Sequence, residues 1–560
     1  MSENKKNMSD ADILSLIQSA SLLTAKNGEV TIADDDRRLI AIFDNGVAIT
    51  AANGRWNSKV KAIINQSNQA GYPVTAYYEM DVQKILNIYN ERKHDSGPRS
   101  PEEESVLLER QKQLSEMIAR AAADKASDIH IRVLREYTEI RTRVFGRVKD
   151  ETTMTMDDGQ AIIKAAFAVA SDLGNSTSDL SFQQGALTAK SKLLPRGVEM
   201  IRLQYSPTSD GRGALVARLK YTSRADEIEI DTLGYDQSHI DDITDMRTRT
   251  NGLYILAGKV SSGKSTTLQR VLNKMFIDKQ REISTYTIEE PVELELPGAI
   301  QVAAKKSPDG TDGFYEGIKA ALRSDPNVIV LGEIRSGELA KLAIEAVMTG
   351  HALWSTIHAG SALGILDRLS DLGVENWKIQ DPSVVRGLVY QRLTGVICKG
   401  CRINLRQWIA SKQGSKELAI RMCKLFHVNP EDLYVRGGGC PKCKLGLSGR
   451  TVVAETIQTD PHLLDLFSRG KRKEMREHWI RQSNEKGPED EQGNWAYGMG
   501  GLPVLHHALV KVGAGLCDIG EVQEEVDFLS TYERDFMHLQ PRLIEDVKKL
   551  KEDELKKEKR

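Results

Sequence analysis

No run of about 18 apolar residues occurs anywhere in this 560-residue chain, so no membrane-spanning helix is expected. The polar start, Met1 to Lys6, lacks the apolar stretch of roughly 7–15 residues that a secretory signal needs, and no signal peptide is expected. Neither charge is in excess: 77 Lys and Arg against 79 Asp and Glu leave a net charge of −2. That excludes the global basic field of most nucleic-acid binders, although a local basic face stays possible. Cysteine is scarce, at six residues, too few for a disulfide framework in so long a chain. Four of the six form two C-x-x-C pairs, a pattern that points to metal. There is no internal repeat. What is present is ordinary globular composition, 40% hydrophobic and 28% charged, in a length that calls for about three or four domains.

Along the chain, residues 1–90 mix helical and strand-like patterns and end in a helical stretch, Asp81 to Arg92. The polar segment 93–101, rich in Pro and Gly, reads as a linker. Ser100-Pro101-Glu-Glu-Glu predicts a helix start, with an N-cap Ser, Pro at the first position and acids in the first turn, and the helix runs to about Lys125. Two alternating runs, Asp128–Val133 and Thr138–Val144, predict a hairpin, and Gly197–Tyr221 is basic and strand-rich. A helical stretch near Asp236–Thr248 leads to the short apolar run Leu253–Ala257, typical of a buried parallel strand. Strands then alternate with helices to about residue 395, the pattern of an α/β sheet. The cysteine pairs follow, then a helical region, and the last residues read as a solvated helix or frayed tail of mixed charge.

Gly258-Lys-Val-Ser261-Ser262-Gly263-Lys264-Ser265 matches the phosphate-loop pattern G-x-x-x-x-G-K-[ST]. It follows the buried strand and opens a helix at Thr266, as the motif requires. Glycines let successive N–H groups turn inward onto phosphate oxygens at a helix N-terminus. Lys264 is expected on the β- and γ-phosphates of ATP and Ser265 on Mg2+. A second carboxylate is needed at a strand end, and Glu333, closing the apolar run Asn327–Gly332, supplies it as a further magnesium ligand. Between them, Glu289, Glu290 and Glu293 place three carboxylates in five positions. One of them could take a proton from water, or the segment could simply be an acidic loop.

These elements resemble the secretion ATPase family that drives type II secretion and type IV pilus assembly. Thr287-Ile-Glu289-Glu290-Pro-Val-Glu293 is similar to the family's T-[IV]-E-D-P-[IV]-E, and Leu322 to Asn327 with Gly332-Glu333-Ile-Arg335 to its next motif. Thr349-Gly350-His351 through His358-Ala359 matches its His box, and Gln391-Arg392-Leu393 its Q-R-L. The resemblance covers about 115–460 clearly. It implies that Glu293 is the general base, Glu333 the Walker B acid and His358 a sensor of the γ-phosphate. It departs from the family at Glu290, Asn327 and Ser336, each of which stands where an Asp is usual, and at Lys259-Val260, which mark a divergent branch of the type IVb or plasmid-borne kind. Arg202 and Arg218 fall in a segment that resembles the family's R-[VI]-S-x-x-P-T…V-x-R, which makes them the arginine fingers. Ser127-Asp128-Ile-His130-Ile and Arg141-Thr-Arg143 resemble the motifs of its PAS-like domain, with Phe145 breaking the second pattern.

The implied architecture is α/β, with a RecA-like P-loop motor, a preceding PAS-like α+β domain, an N-terminal adaptor and a tetracysteine insert. The expected divisions are 1–92 adaptor, 93–110 linker and helix start, 111–235 PAS-like, 236–395 motor, 396–460 zinc insert, 461–530 helical region and 531–560 tail. Cys398, Cys401, Cys440 and Cys443 suit a closed tetrahedral Zn2+ site, the insert between the pairs having little else to anchor it. Cys423 and Cys517 lie outside the pattern and are expected to be buried. The family implies a homo-hexamer peripheral to the inner membrane on its cytoplasmic side, working with a platform protein, and the tetracysteine insert favours extension over retraction. No nucleic acid is expected as a partner. A conjugative coupling motor and a catalytically weak regulatory module remain as alternatives.

Overall fold

The computed structural model describes residues 10–17, 20–25, 29–51, 57–92, 101–170, 182–210, 212–222, 229–290, 292, 296–304, 312–411, 414–443, 445–485 and 499–558. Most of the expected linker, with Ser100, and the general-base candidate Glu293 lie outside these residues. The chain divides into two compact units, Met1–Thr222 and Ser223–Arg560. No helix among the described residues is long and apolar enough to cross a membrane.

The first unit begins with a small sheet of β1 (Ile40–Ile42), β2 (Val47–Thr50) and β3 (Ala76–Glu79), joined in that order. The helix Val82–Arg92 follows close to the expected bounds. Beyond it lies a six-stranded antiparallel sheet: β4 (Ala126–Val133), β5 (Tyr137–Val144), β6 (Arg147–Thr155), β7 (Gln183–Leu187), β8 (Val198–Ser206) and β9 (Ala214–Tyr221), in the order β6-β5-β4-β9-β8-β7. The expected hairpin is β4 with β5, in register from Ile131 against Ile140. Period-two alternation sends Ile129, Ile131 and Val133 to one face, where they are buried with Met117 and Ile118 of the helix Pro101–Ala123 and with Ile162 and Ile163 of the helix Met156–Ala168. The opposite face is polar.

The second unit is built on seven strands: β10 (Gly252–Ala257), β11 (Thr285–Glu289), β12 (Ala299–Ala303), β13 (Val328–Leu331), β14 (Ala352–Ile357), β15 (Val385–Ile397) and β18 (Leu447–Gln458), in the order β12-β11-β13-β14-β10-β15-β18. All pairs are parallel except β15 with β18. The central strands read as unbroken apolar runs because both faces are covered. Leu253 and Ile255 belong to one buried cluster, while Tyr254 and Leu256 belong to the other, where Tyr254 stacks on Trp354 at 4.6 Å. Each large apolar side chain so buried contributes about 1.5–3 kcal/mol. With the strands parallel, the C-terminal ends of β10, β11, β13 and β14 share one sheet edge, where open α/β sheets bind ligands.

Between β15 and β18 runs the segment with both cysteine pairs and the short ribbon of β16 (Ile403–Asn404) and β17 (Tyr434–Val435). β18 itself is the edge strand of the seven-stranded sheet, so that sheet continues beyond the expected bound at 395. The insert is anchored by more than its cysteines, contrary to expectation. Met422, Leu425 and Phe426 of its helix Lys416–Phe426 share a buried core with Leu505 and Leu509 of the helix Val504–Gly513 and with Leu543 and Val547 of the helix Gln540–Glu558. The terminal helix is therefore docked along its first half instead of fully solvated. Cys517 is buried, whereas Cys423 is only partly so.

Candidate functional site

Gly258 leaves the C-terminal end of β10, and the loop Gly258–Gly263 runs into the helix Lys264–Asp278. The backbone needs its glycines in specific ways. At Gly258 a Cβ would lie 2.5 Å from the Gln391 carbonyl oxygen and 2.5 Å from Ser262 Oγ. At Gly263, which caps the helix, φ is +84°. Ser261 also adopts a left-handed φ of +63°, which turns the peptide units of the loop. The Lys264 ammonium donates to the carbonyls of Gly258 at 3.0 Å and Lys259 at 3.2 Å, so it lies over the loop. Ser265 and Thr266 are exposed in the first helical turn, while the Ser262 hydroxyl is buried with no hydrogen-bond partner among the described residues.

Underneath the loop lies support that the sequence motif does not announce. The Gln391 amide of β15 donates to the Ser262 carbonyl at 2.6 Å and accepts from the Tyr235 hydroxyl at 2.6 Å. Tyr235 also meets Thr267 Oγ1 at 3.2 Å, and burial raises its phenol well above the ordinary value of 10. The tyrosine thereby fixes which end of the glutamine amide faces the loop. Tyr235 carries no local signal; only the fold brings it 156 residues along the chain to Gln391.

The strand ends converge beside the loop. His358, just beyond β14, meets the Gly258 carbonyl through Nδ1 at 3.2 Å and Glu333 through Nε2 at 3.0 Å. Arg335 binds the other oxygen of Glu333 at 3.1 Å and Glu290 at 3.2 Å, with its guanidinium 5.4 Å from the Phe314 ring. A cleft beside the helix start is lined by Ser265, Gln269, Glu289, Gly332 and Thr356 and by the apolar Leu268, Leu272, Leu296 and Val330. Glu289 there accepts from Thr287 Oγ1 at 2.8 Å and from Gln301 Nε2 at 3.2 Å. Oxygen donors of this kind fit a hard cation such as Mg2+.

The positions that depart from the family pattern have structural work of their own. Glu290 is the partner of Arg335. Asn327 accepts from the Ser284 N–H at 2.8 Å, and Ser336 caps the helix Gly337–Met348 through the Leu339 N–H.

Arg202 and Arg218 belong to the first unit, where they face each other across β8 and β9. Arg218 binds Asp128 at 2.9 Å, and Arg143 approaches the same carboxylate at 3.6 Å. The register places Arg143, Asp128, Arg218 and Arg202 in one row across four strands on the polar face.

The four cysteines are brought together: all their sulfurs lie within 4.8 Å of one another. Cys398–Cys440, Cys401–Cys443 and Cys440–Cys443 are separated by 3.9, 3.5 and 3.7 Å. Disulfide sulfurs would be about 2.05 Å apart. A tetrahedron of sulfurs about 2.3 Å from a zinc ion has edges of about 3.8 Å, which this cluster fits.

A family model described as type II/IV secretion system protein matches residues 103–499. The type II secretion system ATPase E of Vibrio cholerae serotype O1 is 26% identical over 423 residues, which cover 75% of this chain and 78% of that protein. The type II secretion system protein E of Klebsiella pneumoniae is 30% identical over 358 residues, covering 64% and 67%. The type IV pilus assembly ATPase PilB of Thermus thermophilus is 26% identical over 455 residues, covering 80% of this chain and 48% of that protein.

Proposed function

The chain belongs to the type II/IV secretion system protein family and is an ATP hydrolase, and we propose that it works as the hexameric motor for pilus extension or type II-like secretion, on the cytoplasmic side of an inner membrane and against a platform protein. The observation that carries this reading is His358, which bonds to the phosphate loop and to the Glu333 carboxylate at once. A group in that position registers whether a γ-phosphate lies between them.

In this reading Lys264 and the N–H groups of the loop, with Ser261, Ser262, Gly263 and Thr266, hold the phosphates of ATP. Ser265 and Glu333 hold Mg2+, which neutralises charge developing on the phosphate oxygens. Glu293 takes the proton of the attacking water. Arg202 and Arg218 supply cationic charge to the transferred phosphoryl group from a neighbouring subunit. The domain division is the one set out from the sequence: an adaptor over 1–92, a PAS-like domain to about 235 and a RecA-like motor from 236. Zn2+ on the four cysteines closes the insert, its binding free energy adding to the folding free energy of that segment.

Imaging the purified protein with Mg2+ and ATP tests the ring. Sixfold particles are expected, and a monomer at all concentrations would contradict the proposal. Mixing Lys264→Ala with Arg218→Ala protein tests the finger, because a finger acting between subunits lets two inactive proteins partly restore one another. No restoration would remove the trans role of Arg218.

A further inference from the structure

Glu455 is 4% exposed and lies on β18 opposite Tyr390 of β15. A carboxylate in so dry a place must have its oxygens satisfied, and each finds one backbone donor. Oε2 accepts from the Ala362 N–H at 2.8 Å, and Oε1 accepts from the Val504 N–H at 2.9 Å. The two donors are far apart in the chain and meet at this one carboxylate. Ala362 closes the short loop that starts at His358, and Val504 is the first residue of the helix Val504–Gly513. That helix has no side-chain cap of its own, so Glu455 provides the negative charge that its N-terminus favours. Burial raises the Glu455 carboxyl above its ordinary value, against the pull of the two backbone N–H groups and of Arg476 and Arg392.

We infer that Glu455 is a positioning residue that ties the His358 loop to the C-terminal helical layer, so that the nucleotide state read by His358 reaches the helix Val504–Gly513. The connection is short and each part is bonded: the Gly258 carbonyl to His358, four residues of chain to the Ala362 N–H, the Glu455 carboxylate, then the Val504 N–H. From there Leu505 and Leu509 share a core with the insert helix Lys416–Phe426 and the terminal helix. A shift of His358 that moves Ala362 must either break the hydrogen bond to Glu455 or draw the helix start along.

The test is hydrogen exchange on the full chain, with and without Mg2+ and a non-hydrolysable ATP analogue. In the parent protein the analogue is expected to slow exchange in 258–268, 358–366 and 504–513. Glu455→Gln presents an amide N–H2 to one of two N–H donors and so keeps only one bond. It should retain the response in 258–268 and 358–366 but lose it in 504–513. Its kcat should fall about tenfold, on the scale of one charge-assisted hydrogen bond, while KM for ATP changes by less than about twofold. Val504→Pro removes the donor without touching Glu455, at a position where proline is tolerated in a helix, and should uncouple 504–513 in the same way. A 504–513 response that survives both substitutions, or that is absent from the parent protein while 258–268 responds, would overturn the inference. Because the inference rests on nucleotide binding at the loop, no parent response in 258–268 would overturn that reading first, and this one with it.

Discussion

The phosphate loop, which follows β10, and the cysteine cluster, which begins just after β15, both adjoin β15 and are held in different ways. Gln391, midway along the strand, fixes the loop from below with the help of Tyr235, while His358 meets it from the neighbouring strand end. The strand then ends at Ile397, and Cys398 begins the cluster. There the four sulfurs face one another, supported by backbone N–H groups of the two cysteine turns themselves: Gly400 to Cys398, Gly439 to Cys401 and Cys440 to Cys443. A site arranged by protein hydrogen bonds is preorganised for a ligand that comes and goes. A site arranged by four thiols suits an ion that stays. The two sites should therefore fail independently, in function on one side and in local order on the other.

The largest expected effect is on the catalytic side. Glu293→Gln should spare ATP binding and lower kcat by about 10²–10⁴, the range of a positioned general base. Turnover at the parent rate would move that role to Glu289 or Glu333. On the other side, Cys440→Ser should lower zinc from about one ion per chain to nearly none by elemental analysis. It should also open the chain near the cysteine pairs to protease, with ATP binding unchanged. The helix Lys416–Phe426 should stay protected, because its core is shared with the C-terminal helices. If ATP affinity fell in step with zinc loss, the two sites would not be independent.

A smaller effect separates the loop's support from its chemistry. Tyr235→Phe removes the hydroxyl that orients the Gln391 amide, at a cost of about 0.5–1.5 kcal/mol. That predicts a KM for ATP raised about two- to tenfold with kcat nearly constant, and an unchanged value would make the Tyr235–Gln391 pair a packing feature only.

A separate effect, on stability instead of turnover, is a pH dependence under the C-terminal helices. His239 and His507 are buried with ring centroids 4.9 Å apart, and burial pushes His239 from 6.5 down to about 4 against the pull of Asp236 and Asp242. The unfolded chain binds a proton near pH 6.5 that the fold refuses until about 4. Stability from this residue is therefore present above pH 6.5 and lost as the pH falls toward 4, by roughly 3 kcal/mol at most. Urea unfolding of His239→Leu at pH 7 and pH 5 should show a smaller acid loss than the parent protein, and an equal loss would remove His239 as the source.

What the sequence revealed and what it hid follow from the range of the forces involved. His358 was legible only through the resemblance of its box, whereas the loop, Glu333 and the cysteine pairs were legible because glycine turns, strand-end carboxylates and thiol pairs each need particular residues at particular spacings. The alternation of the hairpin at Asp128–Val144 and the apolar run before the loop were legible for the same local reason. Tyr235 acts across a long sequence separation, and nothing in its own neighbourhood marks it. Gln391 stands in the Q-R-L match, but its partners Tyr235 and Ser262, like the Ala362 and Val504 donors of Glu455, are set only by the fold. The anchoring of the insert was hidden likewise: Met422 and Phe426 meet Leu505 and Leu543 only in the folded unit. The mixed-charge tail concealed a buried stripe, since Leu543 and Val547 stand among charges that read as solvated.

Whether this loop hydrolyses ATP is decided by steady-state phosphate release from the purified full chain with Mg2+ and ATP, measured beside Lys264→Ala. The parent protein should turn over and the variant should fall to background with weakened ATP binding, since the phosphates lose the cation that the loop holds over them. Equal phosphate release by the two proteins, or none by either under conditions that support the sixfold ring, would contradict the account.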